Sequence, residues 1–369
     1  MLSVAADHAT PEATRRRVVI HCGDLSNVGD MALLLRGARM LRAHKLATTI
    51  TVFAWAPPTP EVIDVLERNG IQIASAKNIV RSLWMSRGAL YVIGGGQMVR
   101  PNASFKATLL LLARVMVARV TGGVAIAHGL GVSAIADRRL ALLWTRILSL
   151  CSYVAVRDSG SAENVRRSFA LSAQVTADLM LSELADAPSN RAARDLILVV
   201  PCDDRGEGRW FSSENVAALI KRSLAALPAA RLTFLAHDIR QGMDPQAIER
   251  TIALLNLPET QYDVVATVDV DKARRLYDRS ALTITNRLHS VIFSAAARAP
   301  VIAVSDGGSK TAELGRMLGV TEFDPAKGTS DREMDALVDA ARQHVYPAQM
   351  MSDIASRSER NGMLLAQVS

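Results

Sequence analysis

The stretch Ala281-Leu-Thr-Ile-Thr-Asn-Arg-Leu-His-Ser290 joins a short apolar run to two side chains that can carry chemistry. The β-branched run at residues 281–285 is typical of a buried strand, and residues 290–297 have a helical pattern. Arg287 and His289 therefore follow the carboxyl end of a strand, where open α/β sheets collect ligands. On extended chain the two side chains would share one face, with Leu288 turned into the core. The pair could clamp an anion and carry a proton, or could be a surface arginine and a capping histidine.

Short apolar runs alternate with amphipathic stretches along all 369 residues, which is typical of parallel βα units. The polar, proline-containing segment Asp186-Ala-Pro-Ser-Asn-Arg191 interrupts this rhythm. We predict two doubly wound, Rossmann-like α/β domains that face a cleft. The predicted parts are a disordered tail (1–16), an N-terminal domain (17–183), a linker (184–194), a C-terminal domain (195–330) and a helical segment that packs back across the domains (331–369).

Composition is that of a soluble globular protein, with 49% hydrophobic and 21% charged residues. Aromatic residues make up only 4% of the chain, which argues against single-stranded nucleic-acid binding. The three cysteines are far apart, so we expect a reducing compartment and neither disulfides nor a zinc knuckle. The longest apolar stretch, residues 107–127, is broken by arginines and glycines and is too polar for a spanning helix. These features favour a cytoplasmic protein.

The first strand runs into Gly23-Asp-Leu-Ser-Asn-Val-Gly-Asp30, and a helix is predicted to begin near Met31. Such a turn offers backbone N–H groups and the positive end of a helix to an anion. It matches neither a dinucleotide fingerprint nor a Walker motif, so nucleotide binding is not supported. Asn27 and Asp30 could instead hydrogen-bond sugar hydroxyls, or Asp30 could simply cap the helix.

Other predicted strand ends carry glycines or charged groups. The strand at residues 90–93 leads into Gly94-Gly95-Gly96, where a ligand could approach the backbone closely. His128 ends the strand at residues 124–128, a position where histidine is more often structural. Arg157 ends the next strand, and it could equally form a surface pair with Asp158.

In the second half, His237-Asp238 follows one predicted strand, and Asp306-Gly-Gly-Ser309-Lys310 follows another as a phosphate-cradle-like turn. Cationic or titratable side chains thus recur at strand ends and predict a pocket for a small, multiply charged anion: His128, Arg157, Arg287, His289 and Lys310. No serine-hydrolase or zinc-ligand spacing is present.

Together these segments resemble the polysaccharide pyruvyl transferase family. The matching pieces span roughly residues 17 to 320 in the expected order: Asn27-Val-Gly-Asp30, Ile93-Gly-Gly-Gly96, Arg157-Asp-Ser159, Asp178, His237-Asp238, Arg287-Leu-His289 and Lys310. The resemblance implies a two-domain fold similar to GT-B glycosyltransferases. It also implies transfer of a pyruvyl group from phosphoenolpyruvate, a co-substrate, onto sugar hydroxyls of a polysaccharide or lipid-linked precursor. We expect no other cofactor and no metal.

The resemblance assigns roles to the candidate residues. His289 and Arg287 would be catalytic, since an imidazole can move protons and a guanidinium can follow charge onto departing phosphate. The N-terminal domain would form the acceptor side of the cleft, and the C-terminal domain the donor side. Residues of both domains would bind the donor: Arg157, His128, Arg287, Ser309 and Lys310. The acceptor would be bound by Asn27, Asp30, Gly95, Gly96, His237 and Asp238.

Two other readings stay open: a nucleotide-sugar glycosyltransferase of GT-B type, and a non-catalytic assembly partner. The net charge of +7, with Arg15-Arg16-Arg17 and Arg138-Arg139, suggests weak, salt-sensitive attachment to the anionic inner membrane surface. No segment with a broad aromatic-rich apolar face is visible, so we expect no insertion into lipid.

Overall fold

The computed structural model describes residues 16–185, 194–203 and 211–368. The predicted tail (1–16) and linker (184–194) lie mostly outside these ranges. Within the described ranges, no helix is long and apolar enough to span a membrane.

The N-terminal part is a parallel sheet with helices on both faces. Its strands are β1 (Arg16–His21), β2 (Ala47–Ala54), β3 (Ile71–Ser75), β4 (Leu90–Val99), β5 (Val124–Val132), β6 (Val154–Val156) and β7 (Gln174–Val175). Its helices are α1 (Val28–Ala43), α2 (Pro60–Arg68), α3 (Ile79–Ser86), α4 (Phe105–Val120), α5 (Arg138–Ser149) and α6 (Ser159–Phe169). The strand order is β3-β2-β1-β4-β5-β6-β7.

The C-terminal part repeats this plan with six parallel strands. They are β8 (Leu196–Val200), β9 (Arg231–Ala236), β10 (Tyr262–Ala266), β11 (Ser280–Thr285), β12 (Val301–Val304) and β13 (Thr321–Phe323), in the order β10-β9-β8-β11-β12-β13. The helices are α7 (Glu214–Ala226), α8 (Asp244–Leu255), α9 (Val270–Asp278), α10 (Leu288–Ala296), α11 (Lys310–Leu318), α12 (Asp331–Gln343) and α13 (Ala348–Leu365). The predicted pair of doubly wound α/β units is therefore confirmed.

Each sheet reverses its winding direction where β1 lies beside β4 and where β8 lies beside β11. Ligands of open α/β sheets bind outside the carboxyl ends of strands at such switch points. The carboxyl ends of the two sheets face each other, since Val28 N donates to His237 O at 2.8 Å and Ile239 N donates to Ser26 O at 3.0 Å. The loops after β1 and β9 thus form a backbone bridge between the two units.

The last helix returns to the N-terminal unit. Ser358 Oγ donates to Asp178 O at 3.0 Å, and Asn361 Nδ2 donates to Ala177 O at 3.0 Å. Both bonds join α13 to the chain just before the 3₁₀ helix Leu179–Leu184. Two buried side chains therefore fasten α13 beside Asp178.

Several predicted element ends differ from the structure. Strands β4 and β5 continue past the predicted ends at residues 93 and 128, and remain paired up to Val99 and Val132. Helix α1 begins at Val28 with Asn27 as its cap, so the reading of Asp30 as the cap is wrong. Helix α10 begins at Leu288, so Arg287 is a helix cap and His289 lies in the first turn rather than on extended chain. Leu288 is partly buried: it packs against the hydrophobic core and also lines the cleft.

Candidate functional site

A cleft of about 700 Å³ lies between the facing switch points. Its walls come from the end of β4 and from the segments that follow β1, β4, β5, β6, β8, β9, β11 and β12. The polar lining residues are Asp24, Asn27, Asp30, Gln97, Arg100, Asn102, Ser133, Arg157, His237, Asp238, Arg240, Asn286, Arg287, His289 and Thr311.

Behind the cleft-lining side chains of Arg157 and His289, one buried carboxylate oxygen lies close to both units. Arg157 Nη1 of the N-terminal unit lies 3.0 Å from Asp178 Oδ2, and His289 Nε2 of the C-terminal unit lies 3.7 Å from the same atom. Burial by itself would raise the pKa of Asp178. The interaction with His289 and the charge of Arg157 outweigh burial, so the pKa of Asp178 is well below its usual range. Asp178 is therefore an anion that pairs with Arg157 and lies near the imidazole of His289.

Arg287 is held by a second buried carboxylate. It forms an ion pair with Asp244, whose side chain is almost fully buried at the start of α8. The other Asp244 oxygen accepts hydrogen bonds from the backbone N–H groups of His237 and Asp238, at 2.9 and 3.0 Å. Asp244 thus fixes both the guanidinium and the loop after β9, so Arg287 is preorganised at the cleft wall.

The start of α1 lies directly against His289. A Cβ added to Gly29 would lie 2.2 Å from His289 Nδ1, closer than any side chain can pack. The motif Asn27-Val-Gly-Asp30 thus allows a helix of one unit to reach the imidazole of the other. Its glycine is required by this contact.

Four of the predicted acceptor residues line the cleft: Asn27, Asp30, His237 and Asp238. Each also contacts a neighbouring group of the protein. Asn27 accepts from Gly29 N at 2.9 Å, and Asp30 Oδ2 accepts from Asp24 N at 2.9 Å. Asp238 is paired with Arg240. His237 is buried, with Nε2 at 2.7 Å from the Tyr277 hydroxyl. Burial and the charges of Arg287 and His289 lower the pKa of His237 well below its usual range.

Lys310 reaches the cleft through Gln97. Lys310 Nζ donates to Gln97 Oε1 at 2.6 Å, and Arg157 Nη2 donates to the same oxygen at 3.1 Å. Partial burial and the nearby charge of Arg157 lower the pKa of Lys310 to about 8. Lys310 lines a smaller neighbouring cavity that also includes Arg157. Ser309 is the cap of α11, where its hydroxyl accepts from Ala312 N at 3.1 Å, and it does not line the cleft.

Three other predicted residues are not brought to the cleft. His128 is buried within β5, and its Nδ1 lies 3.0 Å from the Tyr153 hydroxyl. Burial, with a smaller effect of His44, lowers the pKa of His128 to about 4. Gly95 and Gly96 are buried within β4, where added Cβ atoms would lie 2.9 Å from Leu33 Cβ and 2.9 Å from Asp30 Oδ1. These glycines therefore serve the packing of α1 on β4.

Sequence reasoning missed several cleft residues. Gln97 and Arg100 follow the glycine triplet, and apolar Val99 between them was the signal that the strand continues. Among the described residues, Arg100 forms no ion pair. Asn286 joins β8 to β11, because its Oδ1 accepts from Cys202 N at 2.8 Å. Asp244 gave no signal, since an acid at the start of a helix is ordinary.

A second cavity of about 480 Å³ adjoins the cleft and shares Asp24, Gln97, Arg100 and Arg240 with it. We call it the aromatic cavity, because Phe53, Trp55 and Trp144 line it, together with the inner face of α4. Trp144 is buried, and its Nε1 has no hydrogen-bond partner among the described residues. An unmet donor beside aromatic rings suits a ligand that has both apolar faces and oxygen acceptors.

No three His, Cys, Asp or Glu side chains in the described ranges are grouped so as to hold a metal ion. A sequence model of the family named polysaccharide pyruvyl transferase matches residues 27–307. The chain belongs to the polysaccharide pyruvyl transferase family. It is therefore a transferase of polysaccharide biosynthesis. No curated protein sequence matches it significantly.

Solved structures share the fold of this pyruvyl transferase family member at low identity. A putative UDP-N-acetylglucosamine 2-epimerase from Listeria monocytogenes has a TM-score of 0.61 at 11% identity, over 96% of each chain. UDP-GlcNAc 2-epimerase from Neisseria meningitidis, bound to UDP-GlcNAc, has 0.57 at 12%, over 95% of this chain and 99% of the other. Anabaena Alr3699/HepE in complex with UDP has 0.55 at 12%, over 96% and 98%. These similarities show a GT-B fold, as predicted.

Proposed function

We propose that the protein transfers the pyruvyl group of phosphoenolpyruvate to sugar hydroxyls of a polysaccharide or its lipid-linked precursor, as a ketal, with release of phosphate. The proposal rests on the convergence of Arg157 and His289, from opposite units, on one oxygen of Asp178. Phosphoenolpyruvate carries a carboxylate and a phosphate, so its binding requires several cations in fixed geometry, and Arg287 adds a third group at the same wall.

The reaction has steps that suit these groups. A proton must be added to the methylene carbon, C2 becomes cation-like, and one sugar hydroxyl forms a bond to C2. A second hydroxyl then displaces phosphate from C2 and closes the ketal, and the two hydroxyl protons leave to bases. His289 would carry protons, because an imidazole nitrogen can both accept and donate a proton. Arg287 would bind the carboxylate or the departing phosphate.

Asp178 would act as a positioning residue. Its low pKa keeps it ionised at neutral pH, so its charge, 3.7 Å from His289 Nε2, would stabilise the protonated ring and favour its position. The second ring nitrogen, Nδ1, lies beside Gly29 at the start of α1. Proton transfer would therefore occur where the two units meet, which favours a reaction between a donor and an acceptor held by different units.

The acceptor would extend into the aromatic cavity. A sugar ring has an apolar face of C–H groups that can pack on Trp55, and hydroxyl oxygens that can accept from Trp144 Nε1. The cavity opens into the cleft at Gln97 and Arg100, so its occupant could place a hydroxyl near the donor. From the predicted set, the proposed acceptor surface includes the four residues that line the cleft, Asn27, Asp30, His237 and Asp238, but not Gly95 or Gly96.

The alternative is a nucleotide-sugar glycosyltransferase, because the Anabaena and Neisseria structures that share the fold contain UDP and UDP-GlcNAc. Two assays on the full chain separate the candidates. With phosphoenolpyruvate and a glycan acceptor, we expect phosphate release and an acceptor mass increased by one pyruvate ketal. Release of nucleoside diphosphate from a nucleotide-sugar, with no reaction of phosphoenolpyruvate, would contradict the proposal.

An acceptor on a lipid carrier would place the enzyme at the inner membrane surface, where its charge of +7 favours weak attachment.

A further inference from the structure

Two neighbouring helices of the N-terminal unit expose an unusual amount of apolar surface. Helix α3 exposes Ile79, Val80 and Trp84, and α4 exposes Phe105, Leu109, Met116 and Val120. The four residues on α4 are spaced by four, seven and four positions, which places them in one stripe along the helix. Exposed apolar patches of this kind mark interaction sites. We call this surface the α3–α4 face.

The charge around the α3–α4 face is of one sign. Residues 68–136 contain eight lysine and arginine residues and no aspartate or glutamate, in a chain that has 36 acidic residues. Arg81, Arg87, Lys106 and Arg119 are exposed on the two helices, and none forms an ion pair with a described residue. The Arg17 guanidinium lies 5.4 Å from the centre of the Trp84 ring. The apolar stripe therefore has a cationic border without compensating acids.

We infer that the α3–α4 face docks on an anionic lipid bilayer, with its apolar side chains in the headgroup region. Apolar side chains bordered by lysine and arginine are the pattern of interfacial helices. A second copy of the chain would bring two cationic borders together, which like-charge repulsion opposes. The docking is independent of the reaction. The inferred docking differs from the attachment by charge alone, without insertion, that was expected from the sequence. Helix α3, which supplies part of the apolar face, was not predicted.

The position of the face adds a consequence that rests on the proposed function. The inner side of α4, through Ala107, Thr108 and Leu111, lines the aromatic cavity, while Phe105 and Leu109 lie on its outer side. A bilayer on the α3–α4 face would thus lie one helix away from the proposed acceptor site. A lipid-linked acceptor could enter the cavity without leaving the membrane.

The test is co-sedimentation of the full chain with vesicles. Val80→Asp/Val120→Asp changes the two most exposed valines of the face, which are 80% and 77% exposed. The matched control, Val264→Asp/Val345→Asp, makes the same change of charge at exposed sites outside the face. We expect the wild type and the control variant to bind mixed phosphatidylglycerol–phosphatidylcholine vesicles to the same extent. The face variant should bind about tenfold less, since it loses apolar burial and gains repulsion.

The fluorescence of Trp84 provides a second measurement of vesicle binding. It uses the wild type, so it does not depend on whether the double variant folds. The fluorescence should shift to the blue on binding, and Trp84→Phe should remove most of that shift. Equal loss of binding in both double variants, or no binding by the wild type, would overturn the inference. So would self-association of the wild type that the face variant abolishes, because the occupant would then be a second copy. Phosphate release with a short soluble acceptor, measured without vesicles, tests the proposed function separately.

Discussion

The two sheet rims that form the cleft differ in where their chemistry lies relative to the predicted strand ends. In the C-terminal unit, β11 ends at Thr285 as predicted, so Arg287 and His289 follow immediately and reach the cleft. In the N-terminal unit, β5 continues to Val132, so His128 remains inside the sheet. The exact end of a strand therefore decides whether a titratable side chain is a candidate catalyst or part of the core.

Glycines in the predicted strand-end motifs also differ in whether they pack the core or contact the site. Gly94-Gly95-Gly96 resembles a turn because glycine is unfavourable in strands, yet β4 runs through it. Gly95 and Gly96 adopt positive φ values of 74° and 84° and allow α1 to pack closely. Gly29, by contrast, contacts the imidazole of the other unit. Only the second kind of glycine belongs to the site.

The largest expected effect compares one histidine from each rim. His289→Ala should lower kcat by about a hundredfold or more, because a proton carrier is lost. His128→Ala should lower stability by roughly 1–3 kcal/mol, as core truncations do, and leave kcat nearly unchanged. Steady-state kinetics and thermal unfolding of the two purified variants measure both. Wild-type turnover in His289→Ala, or a large loss of kcat in a folded His128→Ala, would reverse the comparison.

Gly29→Ala tests the contact between the rims. The added Cβ would displace either α1 or His289, and a shift of about 1 Å in a reacting group can cost up to a hundredfold in rate. We expect kcat to fall ten- to a hundredfold. Gly37→Ala is the control on the same helix, since its Cβ would meet only Leu179 Cδ1 at 3.9 Å. Equal activity of the two variants would show that the Gly29–His289 contact has no part in the reaction.

Arg287→Lys tests whether Arg287 binds the donor. The substitution keeps a positive charge beside the buried Asp244 carboxylate. A lysine keeps the charge but loses the planar, two-pronged geometry, so the KM for phosphoenolpyruvate should rise about tenfold. Arg250→Lys is the control, because Arg250 pairs with Asp203 outside the cleft lining. A KM unchanged in both variants would remove Arg287 from the donor site.

The fold could be predicted from the sequence, because alternating apolar and amphipathic runs indicate parallel βα units. The predicted end of β11 also placed Arg287 and His289 at the cleft, although His289 lies in a helix and not on extended chain. It could not place Asp178, which was noted only through family resemblance, because its contacts to Arg157 and His289 join distant parts of the chain. Gln97 and Arg100 were missed because a glycine triplet was taken as the end of β4.

The smallest expected effect concerns Lys310, which joins the two rims through Gln97. Its pKa is lowered to about 8, so its positive charge is present below pH 8 and is lost as the pH rises through that value. If the ammonium attracts the donor, the KM for phosphoenolpyruvate should be lower below pH 8 and higher above it. The change should be about threefold, because the partly exposed ammonium interacts only weakly through solvent. Lys310→Arg stays charged across this range and should flatten the profile. A wild-type KM that is flat from neutral to alkaline pH, or an identical rise in Lys310→Arg, would assign the dependence to another group and leave Lys310 as a support for Gln97.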